Sequence, residues 1–162
     1  MASDFLGEKN WTPEIEKKIA ASWRKRGFPF ERKNMKKEKF FSIDTPPPYV
    51  NMPIHMGHAV TYSYMDFFAR YKRMKGFAVL FPLGLDRNGL PIEMAAQKKF
   101  NVSPEKIGRD KFIEYCKKIL EEASSQSVDS FARLGISFNS FEEGNDLGEI
   151  YLTDSPSYRA LT

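Results

Sequence analysis

Cysteine is nearly absent. Cys116 is the single one in 162 residues, which excludes an internal disulfide and any cysteine-rich metal centre. Histidine is almost as scarce, at two residues, so a histidine-based metal site would have to borrow most of its ligands. No window approaches the ~18 uninterrupted apolar residues of a membrane span. The first residues, Met1 to Trp11, lack the basic start and apolar core of a signal peptide. There is no internal repeat and no low-complexity segment. A strong charge of one sign is missing too: the net charge is +4 with pI ≈ 9.1. That balance permits contact with a nucleic acid, but a solvated surface with slightly more lysine than glutamate explains it as well. The expectation is a soluble, cytoplasmic chain with no membrane partner. At 41% hydrophobic and 14% aromatic residues it has the material for a real core.

What is present is organised around Phe40 to Glu93. The apolar run Phe40, Phe41, Ile43 predicts a strand of a buried sheet over Phe40 to Asp44. It enters Thr45-Pro-Pro-Pro-Tyr-Val-Asn-Met-Pro53, which is too proline-rich to continue a strand. That loop delivers His55-Met-Gly-His58 to the start of a helix expected over Ala59 to Lys75, closed by Gly76. Phe77 to Phe81 is a short continuous apolar run, suited to a parallel strand covered on both faces. Strand, helix and strand make a crossover, and a crossover of this length implies parallel neighbours. Pro82 to Glu93 then leaves the second strand as a glycine-rich loop. In open parallel sheets ligands bind beyond the carboxyl ends of strands, so the histidine loop and the Asp86 loop are expected to face one cleft.

Around this unit, Thr12-Pro-Glu-Ile-Glu16 caps an N-terminal helix that Gly27 ends. Arg32 to Lys39 is a basic run with the character of an exposed loop. A helix from about Pro91 to Phe100 follows the Asp86 loop. Ser103-Pro-Glu opens a short helix, and a long one runs from Asp110 to Leu134, with Cys116 on its apolar face as a small buried hydrophobe. Ile150 to Leu152 reads as a short strand. Ser155-Pro156 caps a helix barely begun at Thr162, the pattern of a truncated chain. The aromatic stripe Tyr62, Tyr64, Phe67, Phe68 admits base stacking, but at helical spacing beside two strands core packing is the favoured reading.

For the histidines, a metal site lacks a third ligand of fitting spacing. Two satisfied loop histidines remain possible, and an anion site accounts for more. Gly57 lets a flat ring or a phosphate approach the backbone, the helix start adds positive potential, and imidazole N–H groups aim at developing charge.

His-Met-Gly-His after Thr-Pro-Pro-Pro resembles the first signature of class I aminoacyl-tRNA synthetases. Tyr71-Lys-Arg-Met-Lys-Gly-Phe-Ala-Val-Leu-Phe-Pro82 and Gly84-Leu-Asp-Arg-Asn-Gly-Leu-Pro-Ile-Glu93 resemble the branch that activates valine, isoleucine and leucine. Asp-x-Asn-Gly-Leu-Pro and the closing Tyr151 to Arg159 are most similar to archaeal-type valyl enzymes. The isoleucyl enzymes usually carry histidine where Asn88 stands. The resemblance implies an α/β fold, the first half of a Rossmann-like nucleotide-binding domain over 40–162. Residues 1–39 then form an N-terminal helix and basic loop. It implies activation of valine with ATP and Mg2+ and transfer to tRNA, by an enzyme of which this chain is the N-terminal part. His55, Gly57 and His58 would hold ATP, the two histidines catalytically. Asp86 would bind the substrate's α-ammonium, the lesser alternative being that it merely caps the following helix. Pro48, Tyr49 and Asn51 would wall the amino acid pocket, with Asn88 and Glu93 as weaker members. Tyr49 departs from the asparagine common in bacterial valyl enzymes. The second signature, Lys-Met-Ser-Lys-Ser, is absent, as are editing and anticodon-binding regions, so tRNA contact would fall mainly on the remainder of the synthetase. The alternatives are an isoleucyl or leucyl enzyme, a small nucleotidylyltransferase, or a non-catalytic fragment.

Overall fold

The computed structural model describes residues 10–30 and 39–160; residues 32–38 of the basic run lie outside them, as do the first nine residues and the last two. Thr12 caps α1 (Pro13–Arg26) by accepting the Ile15 N–H at 3.3 Å, and Gly27 ends it at φ 60°. β1 (Phe40–Ser42) and β2 (Ala78–Leu80) pair in parallel, Phe41 opposite Val79, across helix α2 (Met56–Met74). The predicted strand–helix–strand crossover is therefore present, within an α/β architecture. β1 is shorter and barer than its apolar sequence suggests, with Phe40 42% exposed.

The stretch after β2 is more ordered than a glycine-rich loop. β3 (Gly84–Leu85) pairs in parallel with β4 (Tyr151–Leu152), making a second two-stranded sheet separate from the first. Its opposite edge is stitched to the proline loop: Tyr49 and Asp86 form a parallel bridge, Asp86 N–H donating to Pro48 O at 2.9 Å and Val50 N–H to Asp86 O at 3.2 Å. Gly84 is buried because the Tyr151 ring lies flat against it; a Cβ there would sit 2.1 Å from the ring. Helices α3 (Leu90–Phe100), α4 (Pro104–Ile107), α5 (Arg109–Arg133) and α6 (Pro156–Arg159) follow the sequence closely. Proline stands in the first turn of α3, α4 and α6, glycine at positive φ precedes α3 and α5, Asn101 at positive φ ends α3, and the Ser155 hydroxyl accepts the Tyr158 N–H at the start of α6.

The core gathers Val50, Tyr62, Val79, Phe81, Leu83, Leu85, Phe131 and Phe138 between α2, the two sheets and α5. Two apolar residues of the long helical run, Ile113 and the C-cap Leu134, stay exposed at 40% and 46%. Cys116 is partly buried between this core and a smaller cluster of Ala96, Phe112 and Ile119. Desolvation, with Glu93 nearby, raises its thiol pKa, which suits an inert packing role.

The aromatic stripe on α2 departs from expectation. Tyr62 is buried, but Tyr64, Phe67 and Phe68 are 62%, 63% and 61% exposed. The inward face instead carries Tyr62, Asp66 and Ala69. Asp66 accepts from Arg70 Nε at 2.6 Å and from Ser137 N–H at 2.8 Å, and also from the Ser137 hydroxyl. Arg70 and Arg73 lie over Trp23 and Phe28, 4.9 and 5.0 Å from their ring centres. A bonded, stacked polar face won the interior because it has partners there, which hydrophobicity counts do not see.

Candidate active site

The helix begins three residues earlier than predicted, and the histidines are the reason. His55 is the N-cap of α2, with extended backbone at φ −109° and ψ 175°. Its Nδ1 accepts the Gly57 N–H at 3.0 Å, and its own N–H donates to His58 Nδ1 at 3.4 Å. The two rings stack with centroids 4.0 Å apart and planes 21° apart. This is a capping box built from imidazoles in place of the usual serine and glutamate.

The cap has a chemical consequence. A ring nitrogen that accepts an N–H carries no proton, so both rings are held as the tautomer protonated at Nε2. Each imidazole thereby keeps one N–H donor free of the cap. His58 also has a lowered pKa, first from desolvation and second from His55 beside it. Neutral donors at a helix N-terminus, with its unpaired N–H groups and partial positive charge, suit a phosphate or another anion. Gly57 has a more local reason than the sequence suggested. A Cβ on it would stand 2.9 Å from His55 Cε1 and 3.0 Å from Nδ1, so the flat ring it admits is that of His55.

The proline loop is tied to α2 and to β4. Tyr62 Oη donates to Pro46 O at 2.9 Å, and Tyr151 Oη to Thr45 O at 3.4 Å. Burial raises the pKa of both phenols, keeping them protonated as donors. Pro48 is buried and Tyr49 is 52% exposed. Asp86 is half-buried next to them, and the short link 51–54 separates this group from His55. The pairing brings Pro48, Tyr49 and Asp86 together as expected. Asn51 follows Val50 and lines a depression of ≈ 440 Å³ with Pro53 and, from α3, Ala95 and Lys98. Glu93 is exposed in the first turn of α3, where an acid favours the dipole.

Sequence reasoning missed the residue that organises Asp86. Thr153, 6% exposed, donates its hydroxyl to Asp86 Oδ1 at 3.0 Å and accepts from Arg87 N–H and Asn88 Nδ2, both at 2.9 Å. Asn88 N–H also reaches Asp86 Oδ1, at 3.2 Å. Asn88 therefore braces the aspartate loop. Arg87 pairs with Asp154 at 3.1 Å, closing the loop against the β4 end. Thr153 is 67 residues beyond Asp86; only the parallel β3–β4 pairing makes them neighbours.

Parallel strands joined by a crossover helix, with a capped helix start and an aspartate loop bonded to the proline loop that leads into it, define a Rossmann-like α/β unit. The family described as tRNA synthetases class I (I, L, M and V) matches residues 18–147, and the chain belongs to that family. It is 41% identical over 154 residues to a valine–tRNA ligase of Pyrobaculum aerophilum, covering 94% of this chain and 18% of that protein. A valine–tRNA ligase of Methanocaldococcus jannaschii is 38% identical over 151 residues, covering 93% of this chain and 16% of its own length. Among solved structures, the Agrobacterium radiobacter K84 LeuRS in ternary complex with tRNA and LeuAMS superposes with a TM-score of 0.63 at 27% identity. That match covers 88% of this chain and 16% of the LeuRS. The chain thus spans less than a fifth of the length of the curated relatives it matches.

Proposed function

We propose that this chain supplies the first half of the active site of a valine–tRNA ligase, spanning residues 40–162 behind the N-terminal segment 1–39. The observation that carries this reading is the imidazole cap at the start of α2, with an Asp86 loop bonded to the proline loop that leads into it. The likeness to valine–tRNA ligases over 94% of the chain supports valine over isoleucine or leucine.

In this reading the amino acid carboxylate attacks the α-phosphate of ATP and pyrophosphate leaves; the acyl group then passes to tRNA. The attacking carboxylate is already ionised at neutral pH, so no general base is needed. The chemical demand is donors aimed at charge growing on the phosphoryl oxygens. His55 and His58 would meet it through their Nε2–H groups, with the backbone around Gly57 beneath the nucleotide. Losing one such donor costs about 10²–10³ in rate. Mg2+ would arrive on the ATP phosphates, since among the described residues no three metal-ligating side chains gather. Asp86 would take the α-ammonium, with Pro48 and Tyr49 beside it as apolar wall. Asn51 would reach the pocket only from the α3 side. Lys-Met-Ser-Lys-Ser does not occur in these 162 residues, so this chain alone should turn over poorly in valine-dependent pyrophosphate exchange. We place the enzyme in the cytoplasm.

The test is calorimetric titration of this chain with the sulfamoyl analogues of valyl-, isoleucyl- and leucyl-adenylate. Valyl analogue should bind best, and His58→Ala and Asp86→Ala should each weaken it at least tenfold while leaving the circular dichroism spectrum intact. Equal binding of all three analogues would remove the valine assignment. Unchanged affinity in both variants would remove the site.

A further inference from the structure

Asp86 is held by an arrangement that does more than keep a loop in shape. A threonine hydroxyl has one proton to give and two lone pairs to fill. On Thr153 both lone pairs are taken, by Arg87 N–H and Asn88 Nδ2, each at 2.9 Å. Its proton has one remaining direction, Asp86 Oδ1 at 3.0 Å. The hydroxyl is buried, so water does not compete for it. Asn88 N–H adds a second donor to the same oxygen at 3.2 Å. Both bonds of this set that reach Asp86 fall on Oδ1. Fixing Oδ1 fixes the rotation of the carboxylate about its Cβ–Cγ bond, and with it the position of Oδ2, which takes no part in the set. Thr153 is itself anchored, its N–H donating to Leu85 O at 3.2 Å in the β3–β4 ladder.

We infer that Thr153 is a positioning residue for substrate recognition. It saturates Oδ1 of Asp86 and so presents Oδ2, in one orientation, to the α-ammonium group of the amino acid. The inference rests on the proposed reading of Asp86 as the ammonium-binding carboxylate and assigns the group that aims it. A carboxylate pre-aimed by buried donors loses less freedom on binding than one that must be ordered by its ligand. Misplacement of such a group by a fraction of an ångström weakens the interaction it makes. The role is one of orientation, so it shows only with ligands that carry the ammonium group.

The experiment compares two ligands and three variants of this chain. The ligands are the sulfamoyl analogue of valyl-adenylate and its desamino counterpart, the isovaleryl sulfamoyl analogue that lacks only the α-amino group. Affinities are measured by calorimetry for the unaltered chain, Thr153→Val, Thr153→Ser and Asp86→Asn, each first checked for a cooperative thermal transition. Valine has the shape of threonine without the hydroxyl, and serine keeps the hydroxyl without the methyl. The unaltered chain should prefer the amino ligand at least tenfold. Thr153→Val should lose about tenfold for the amino ligand and under twofold for the desamino one, with Thr153→Ser close to the unaltered chain. Equal losses for both ligands, or no loss with either, would overturn the positioning role while leaving Asp86 as the ammonium site. If the unaltered chain shows no preference for the amino ligand, or Asp86→Asn keeps that preference, the reading of Asp86 fails and takes this inference with it. Should Thr153→Val not fold, Thr153→Ser carries the test: loss of the amino preference despite a retained hydroxyl overturns the inference, and its retention supports it.

Discussion

At the scale of single residues, the histidine pair makes the sharpest statement. His58 uses Nδ1 as an acceptor, and protonation would turn that acceptor into a donor facing the His55 N–H. Desolvation and the neighbouring His55 both lower its pKa from 6.5. The folded value lies below the unfolded one, so the contribution to stability is complete above about pH 6.5 and is lost as pH falls through the folded value. An NMR titration of the ring protons should give His58 a pKa below 6.5, and His55→Ala should move it upward. A value at or above 6.5 would contradict the cap geometry. Gly57 makes a second prediction. A methyl group there meets only the exposed His55 ring, so Gly57→Ala should swing that ring away at a cost of under ~1 kcal/mol in thermal unfolding. Binding of an adenylate analogue should nevertheless fall at least tenfold. A crystal structure of the variant with His55 unmoved would refute the account.

At the scale of elements, α2 is decided by its polar face. Asp66 is 5% exposed and is bonded by Arg70 and Ser137, while Arg70 Nη2 donates to Gly135 O at 2.6 Å. These bonds hold the histidine-bearing helix to the segment after α5. Removing one partner of a buried ion pair leaves the other uncompensated, at about 3–5 kcal/mol; Arg70 is partly exposed, so the lower end applies. Asp66→Ala should therefore lower the unfolding free energy measured in urea by about 3 kcal/mol, and Asp66→Asn by less. Little change in either would show that the network is incidental. Much of this element was legible beforehand: its length from the uninterrupted run between proline and Gly76, its parallel crossover from the flanking apolar strands. Its orientation was not. Helical spacing returns Tyr62, Met65, Phe68, Tyr71 and Met74 to one stripe, but the helix has two apolar faces and the larger aromatic one points outward.

At the scale of the molecule, that outward face is the main liability of the isolated chain. Val60, Tyr64, Phe67, Phe68, Tyr71 and Met74 are each 48–80% exposed and recur within about a third of the helical turn. Contiguous apolar surface of this kind drives association. The isolated chain should sediment above its monomer mass at tens of micromolar and bind a hydrophobic dye, and Phe67→Lys with Phe68→Lys should reverse both without lowering the melting temperature. A monomeric, dye-negative parent chain would refute this.

The α/β alternation, the hydroxyl caps at Thr12 and Ser155, and the family to which the chain belongs were legible in the sequence alone. These depend on local chemistry: a proline that cannot donate, a glycine at positive φ, an oxygen within reach of a helix N–H. Tertiary structure alone decided which face of α2 is buried, which ring lies against Gly57, and what holds Asp86. Each of those depends on a partner distant in sequence or on where a ring lies in space. Ser137 is 71 residues from Asp66 and Thr153 is 67 from Asp86, and no pattern along the chain brings such pairs together. For Asp86 and Thr153 the parallel β3–β4 pairing does, because its crossover places residues far apart in sequence in hydrogen-bonded register; Ser137 meets Asp66 where the segment after α5 packs on α2.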